Sequence, residues 1–147
     1  MSLTTTEEIE DYCENLASPQ TEHAHQKAFF AWLNIEAHYK RHPMATVAFA
    51  IPNGGKRDAI TASRLKAEGV KPGVADICYP VPHSPYHSLW IEMKKPTKGK
   101  VAPHQDNWAI TMRVCGHAVV TCYGWKAARQ AFLNYTNSVS LEEEYKP

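Results

Sequence analysis

The chain has 147 residues, 44% of them hydrophobic, which suits one domain with a real core rather than several. A formal net charge of +1 excludes a uniformly basic protein, and no apolar run approaches the ~20 residues of a membrane span. No stretch reads as a signal peptide, so the expected location is the cytoplasm. The four cysteines, Cys13, Cys78, Cys115 and Cys122, form no Cys-x-x-Cys pair and read as buried free thiols.

In chain order, an acidic helix is predicted over about 5–17, either packed on its own subunit or available to a second one. Ser18-Pro19 reads as an N-cap followed by proline at the first helical position, opening a long helix to about Arg41. Within it Glu22, Gln26, Phe29 and Leu33 fall in a narrow arc at 100° per residue. A carboxylate on the buried side of a helix needs a cation or a donor, so Glu22 calls for a partner. Val47, Phe49 and Ile51 alternate as a strand, and Pro52-Asn53-Gly54-Gly55 turns the chain. A short helix from about Asp58 to Glu68 stops at Gly69, a suitable C-terminal cap. Strands over Val74 to Tyr79 and Leu89 to Lys94 follow, joined by a proline-rich loop. A helix opens near Pro103 and stops at Gly116, with Gln105, Trp108, Ala109 and Met112 on one face. His117 to Tyr123 alternates as a last strand, residues 125–137 look helical, and the Glu142-Glu143-Glu144 tail is expected to fray.

The chemistry concentrates on two neighbouring strands. In Leu89 to Lys94 the side chains of Trp90, Glu92 and Lys94 share one face. If Asp76 belongs to the neighbouring strand, two carboxylates and an ammonium converge, and the Met93 carbonyl can turn toward the same point. Oxygen ligands with a lysine beside them suit Mg²⁺ or Mn²⁺ next to a phosphate. A solvated, salt-bridged sheet edge is the ordinary reading of such residues taken alone. The surroundings favour the site: a turn-rich approach, Gly69 to Asp76, precedes it, and a basic loop, Lys95-Pro96-Thr97-Lys98-Gly99-Lys100, follows it. Charge is also uneven, with nine basic and four acidic residues over 56–100 but two basic and seven acidic over 1–40. The basic block thus attracts a polyanion where the carboxylates lie. Asn53, Lys56 and Arg57 flank a Gly-Gly turn that lets backbone approach a phosphate; an ordinary turn with exposed charges is the competing reading. Gly54-Gly55-Lys56 is no P-loop, since the upstream glycine and the following Ser/Thr are missing. His83 with His87, or Cys115 with His117, makes a poor zinc set.

The ordered series Glu22-xxx-Gln26, Ile51-Pro52-Asn53-Gly54-Gly55-Lys56-Arg57, Gly69-Val70-Lys71-Pro72-Gly73-Val74-Ala75-Asp76, Glu92-Met93-Lys94 and Gln105 resembles the VRR-NUC family, the virus-type replication and repair nucleases of the PD-(D/E)XK superfamily. The resemblance covers about residues 20–136. One departure is Ala75, where the family commonly has proline. The resemblance implies an α/β fold, a restriction-endonuclease-like αβββαβ core with a mixed sheet flanked by helices, spanning 20–137 between a helical extension (1–19) and a tail (138–147). It implies catalysis by Asp76, Glu92, Lys94, Gln105 and Glu22. Mg²⁺ or Mn²⁺ would be held by Asp76, Glu92, the Met93 carbonyl and Glu22; the Gly-Gly turn and the basic block, read on their own charge, offer Asn53, Lys56, Arg57, Lys95, Lys98 and Lys100 to the DNA that the resemblance implies. It further implies a phage or prophage enzyme of the host cytoplasm, acting on branched DNA as a homodimer that resolves four-way junctions. The alternatives are a less selective flap or single-strand nuclease and a nucleic-acid-binding module on a nuclease fold.

Overall fold

In the computed structural model, residues 3–53, 57–97 and 103–147 are described, except for the side chains of 103–106. Helix α1 (Thr6–Ala17) starts at a capping box. The Thr5 hydroxyl accepts the Glu8 N–H, and the Glu8 carboxylate accepts the Thr5 N–H. Helix α2 (Glu22–His38) is capped by Thr21, whose hydroxyl accepts from Ala24 N at 3.0 Å. The cap is therefore not Ser18, and Pro19 lies in the turn before it. Helix α2 also ends short of Arg41, because the Glu36 carbonyl accepts the N–H groups of Arg41 and His42 and the chain reverses there.

A 3-10 turn occupies Pro43–Val47, so the expected alternation from Val47 shrinks to a two-residue strand β1 (Phe49–Ala50). Proline at the start of that turn presets helical φ and removes a donor, which favours the turn over an extended run. Helix α3 (Ala59–Ala67) is capped by Asp58 and ends at Gly69, whose φ of +102° suits glycine. Strand β2 is only Ile77–Tyr79, and β3 (Leu89–Lys94) has the expected bounds. Helix α4 (Pro103–Val114), strand β4 (Ala118–Tyr123) and helix α5 (Trp125–Thr136) complete the expected order.

The tail corrects the reading of a frayed end. Glu144–Tyr145 forms β5, parallel to β4, with Glu144 opposite Thr121 and Tyr145 opposite Cys122. Tyr145 is buried and its hydroxyl bridges Asn134 Nδ2 and Glu142 N, each at 3.1 Å. Tyr145 thus helps hold the end of the chain against the sheet, with the Glu143 carbonyl accepting the Thr121 N–H at 2.8 Å.

The sheet order is β1-β2-β3-β4-β5, antiparallel across the first two pairs and parallel across the last two. One face, with Ile77, Tyr79, Leu89, Ile91, Met93, Val120 and Cys122, packs against α2 and α5 around Phe29, Trp32, Leu33 and Phe132. Helix α4 packs on β4, and Trp108 meets Trp90 of β3 edge-on at 5.2 Å between ring centroids. Helix α1 adds Ile9, Cys13 and Ala17 to the same core. Two of its acids are engaged within the chain: Glu10 pairs with Lys126 and Arg129, and Glu14 with Lys126 and the Trp125 indole. Among the described residues no helix is long and apolar enough to cross a membrane.

Candidate active site

Antiparallel register sets the geometry. Ile77 lies opposite Ile91, so the preceding residue, Asp76, stands opposite Glu92. Asp76 is placed just before β2 rather than within it, and three bonds fix it there. Its Oδ2 accepts the Met93 N–H at 2.9 Å, and its carbonyl accepts the Ile51 N–H at 2.7 Å. Asn53 Nδ2 donates to the Val74 carbonyl at 2.6 Å, pinning the approach to the aspartate.

Glu92 and Lys94 point the same way, as strand periodicity requires, with Lys94 Nζ 3.5 Å from Glu92 Oε1. Both are buried, at 7% and 9% exposure, so this is no solvated surface pair. Strand β4 runs alongside, with Thr121 opposite Glu92 and Tyr123 opposite Lys94. Tyr123 was not among the expected site residues. Burial pushes its phenol pKa up, as does Glu144, while Lys94 opposes the shift. Only the pairing register, which sequence does not reveal, brings it beside the lysine.

Beyond Lys94, its carbonyl accepts the Gly124 N–H at 2.8 Å. Gly124, at φ +99°, passes so close to Pro96 and the His25 ring that a Cβ there would lie 3.1 Å from Pro96 Cγ. His25 Nδ1 accepts the Trp125 N–H at 3.1 Å, and its Nε2 meets Gln20 Oε1 at the same distance. The first turn of α2 is thereby locked beside the end of β3. Burial lowers the His25 pKa, and these bonds hold the neutral ring with its proton on Nε2.

Glu22 lies in that first turn but is exposed, which corrects the expectation of a buried carboxylate. The buried residues of α2 are Ala24, His25, Ala28, Phe29, Trp32, Leu33 and Glu36, while Glu22 is exposed and Gln26 only half-buried. Water and the helix N-terminus satisfy Glu22 where it stands. Glu36, at the other end of the helix, is held by Arg41 at 2.8 Å and His42 at 3.3 Å.

Of the residues expected to meet nucleic acid, Arg57 is exposed and donates to the Pro52 carbonyl at 2.6 Å, and Lys95 is half-buried. Lys56, Lys98 and Lys100 lie outside the described residues. Gln105 sits in the first turn of α4, and its side chain is likewise outside them. Asn53 is committed to the Val74 carbonyl, so its amide positions Asp76.

The donor set around Asp76 and Glu92 suits a hard cation: two carboxylates and the backbone of Met93, all oxygen. Burial pushes the thiol of Cys78, two residues from Asp76, up to about 11. Among the described residues no three His, Cys, Asp or Glu side chains are grouped to hold a metal. Two carboxylates alone match Mg²⁺, which keeps several waters and takes the rest of its shell from phosphate. At the other end of β3, Ser88 Oγ and His117 Nδ1 lie 2.6 Å apart, and Ser88 also accepts the Trp90 indole N–H at 3.1 Å. Ser88 is buried, so this network joins two strands and offers no exposed nucleophile.

Among solved structures, the chain is similar to a "VRR_NUC domain protein" with a TM-score of 0.67, covering 86% of this chain and 97% of that one at 21% identity. The chain has the fold of that VRR_NUC domain protein. No family model and no curated protein matches it by sequence. In this VRR-NUC fold, the mixed five-stranded sheet flanked by helices agrees with the architecture that the motifs imply.

Proposed function

We propose that the protein is a metal-dependent nuclease that hydrolyses DNA phosphodiesters at Asp76, Glu92 and Lys94, and that it belongs to the VRR-NUC family. The observation that carries this reading is the convergence of two carboxylates and a buried ammonium at the end of β3, on a fold shared with a VRR_NUC domain protein. A bound Mg²⁺ or Mn²⁺ would polarise the scissile phosphate and lower the pKa of a coordinated water. Asp76 and Glu92 would hold it. One N–H bond from Met93 leaves the Asp76 carboxylate ample acceptor capacity for a cation. The Met93 carbonyl leaves the strand on the same side as its N–H, toward Asp76. Lys94 would orient the attacking water or offset charge building on the phosphate oxygens. Glu22 would contribute through water from the first turn of α2, and Gln105 would position water or phosphate.

Branched DNA is the proposed substrate and a homodimer the proposed form, because paired nicks across a two-fold junction need two sites in a fixed relation. Cleavage of flap, fork, four-way junction and linear DNA in Mg²⁺ and Mn²⁺ tests the substrate, with light scattering for the assembly. Paired nicks at symmetry-related positions by a species of twice the monomer mass support the resolvase. A monomer that cuts flaps or single strands faster than junctions removes the resolvase and leaves the nuclease.

A further inference from the structure

Helix α3 has no buried residue, and Ile60 on its first turn is 84% exposed. A nine-residue helix is marginal in water without tertiary packing. Its ends are instead defined locally, by the Asp58 side chain accepting the Thr61 N–H at 2.6 Å and by Gly69. The excursion that carries it is closed at its base. The Asn53 amide closes the chain onto the Val74 carbonyl, so the excursion carrying α3 leaves and returns within two residues of Asp76. The described part of that excursion, 57–73, carries Arg57, Arg64, Lys66 and Lys71 against Asp58 and Glu68. Asp58 is already committed as the cap. Arg64, Lys66 and Lys71 are exposed, and no ion pair involving them occurs among the described residues.

We infer that α3 is a docking element for the nucleic-acid backbone, with Arg64, Lys66 and Lys71 taking phosphates that flank the scissile bond. This rests on the nuclease reading above and adds a surface to it. The occupant follows from charge: an outlying helix with a net positive excursion, anchored beside two carboxylates, complements a phosphate chain that must pass those carboxylates. Docking would also add packing to a helix with no buried residue among the described ones, so its backbone would tighten on binding.

The test is fluorescence anisotropy with a labelled four-way DNA junction in Ca²⁺ across a salt series, using the full chain and Arg64→Ala/Lys66→Ala. The log–log salt slope should fall by about two, one unit per lost phosphate contact. Hydrogen exchange of the wild type should show the amides of 62–69 slowing by about tenfold or more when the junction is added. Wild-type binding with an unchanged slope in the double variant, or unchanged exchange in α3, overturns the inference and leaves the nuclease reading intact. A wild type that binds no DNA overturns both. If Ile60→Asp converts a dimer to a monomer while the salt slope stays put, α3 belongs to a subunit interface, which also overturns the inference.

Discussion

The Asp76 carboxylate accepts the Met93 backbone N–H at 2.9 Å, so the aspartate is tied to the strand that carries Glu92 and Lys94 on either side of that amide. Side-chain chemistry and backbone pairing therefore meet at one bond. Asp76→Asn keeps an acceptor for that N–H and removes the charge, whereas Asp76→Ala also strands the donor, at about 1–3 kcal/mol. Both variants should lose cleavage. Only Asp76→Ala should lower the denaturant midpoint clearly, and equal midpoints would show that the bond contributes little to stability.

Asn53→Ala separates positioning from DNA contact. Loss of its bond to Val74 should cost about 1 kcal/mol and slow turnover by loosening Asp76. Because the amide is engaged with protein backbone, the salt dependence of DNA binding should not change. A flattened slope would show that Asn53 touches phosphate instead.

His25 gives a pH signature with a definite sign. Burial lowers its folded pKa below the ordinary 6.5, so between the two values the unfolded chain binds the extra proton. The stability from the neutral ring is fully present above about 6.5 and is lost as pH falls toward the folded pKa. Unfolding free energies at several values between pH 7.5 and 5 should fall more steeply for wild type than for His25→Asn. Parallel curves would mean the ring titrates normally.

Much of this site is legible in the sequence because it rests on strand alternation and local turns. Glu92 and Lys94 share a face in any extended Leu89 to Lys94, and Gly69 marks the end of α3 by its backbone freedom alone. What the sequence hides depends on register and on neighbours. Tyr123 reaches Lys94 only through parallel pairing of β3 with β4. Glu22 and Gln26 lie near enough to the buried stripe of α2 to pass for part of it, while His25, a polar residue with satisfied nitrogens, belongs to it beside Ala24. Strand β5 is invisible to propensity because Glu142-Glu143-Glu144 is a poor strand sequence, and its pairing rests on the buried Tyr145, with Leu141 packed on the core and Glu143 meeting Thr121 and Arg113.

Tyr145→Ala should accordingly destabilise the whole domain, by about 3 kcal/mol as for other buried aromatic truncations. Thermal melting would show one cooperative transition at a lower midpoint. An unchanged midpoint would mean that the tail is only loosely attached.

The central claim is that Glu92 is a metal-binding carboxylate whose charge is needed for phosphodiester hydrolysis. The most direct measurement is nicking of a labelled four-way junction in Mn²⁺ by wild type and Glu92→Gln, with chelator controls and melting curves to establish folding. Wild type should cut and chelator should stop it, while the folded Glu92→Gln should lose about a hundredfold or more, the scale expected when an electrostatic stabiliser is removed. Near-normal cleavage by Glu92→Gln, or cleavage by wild type that persists in chelator, would contradict the account.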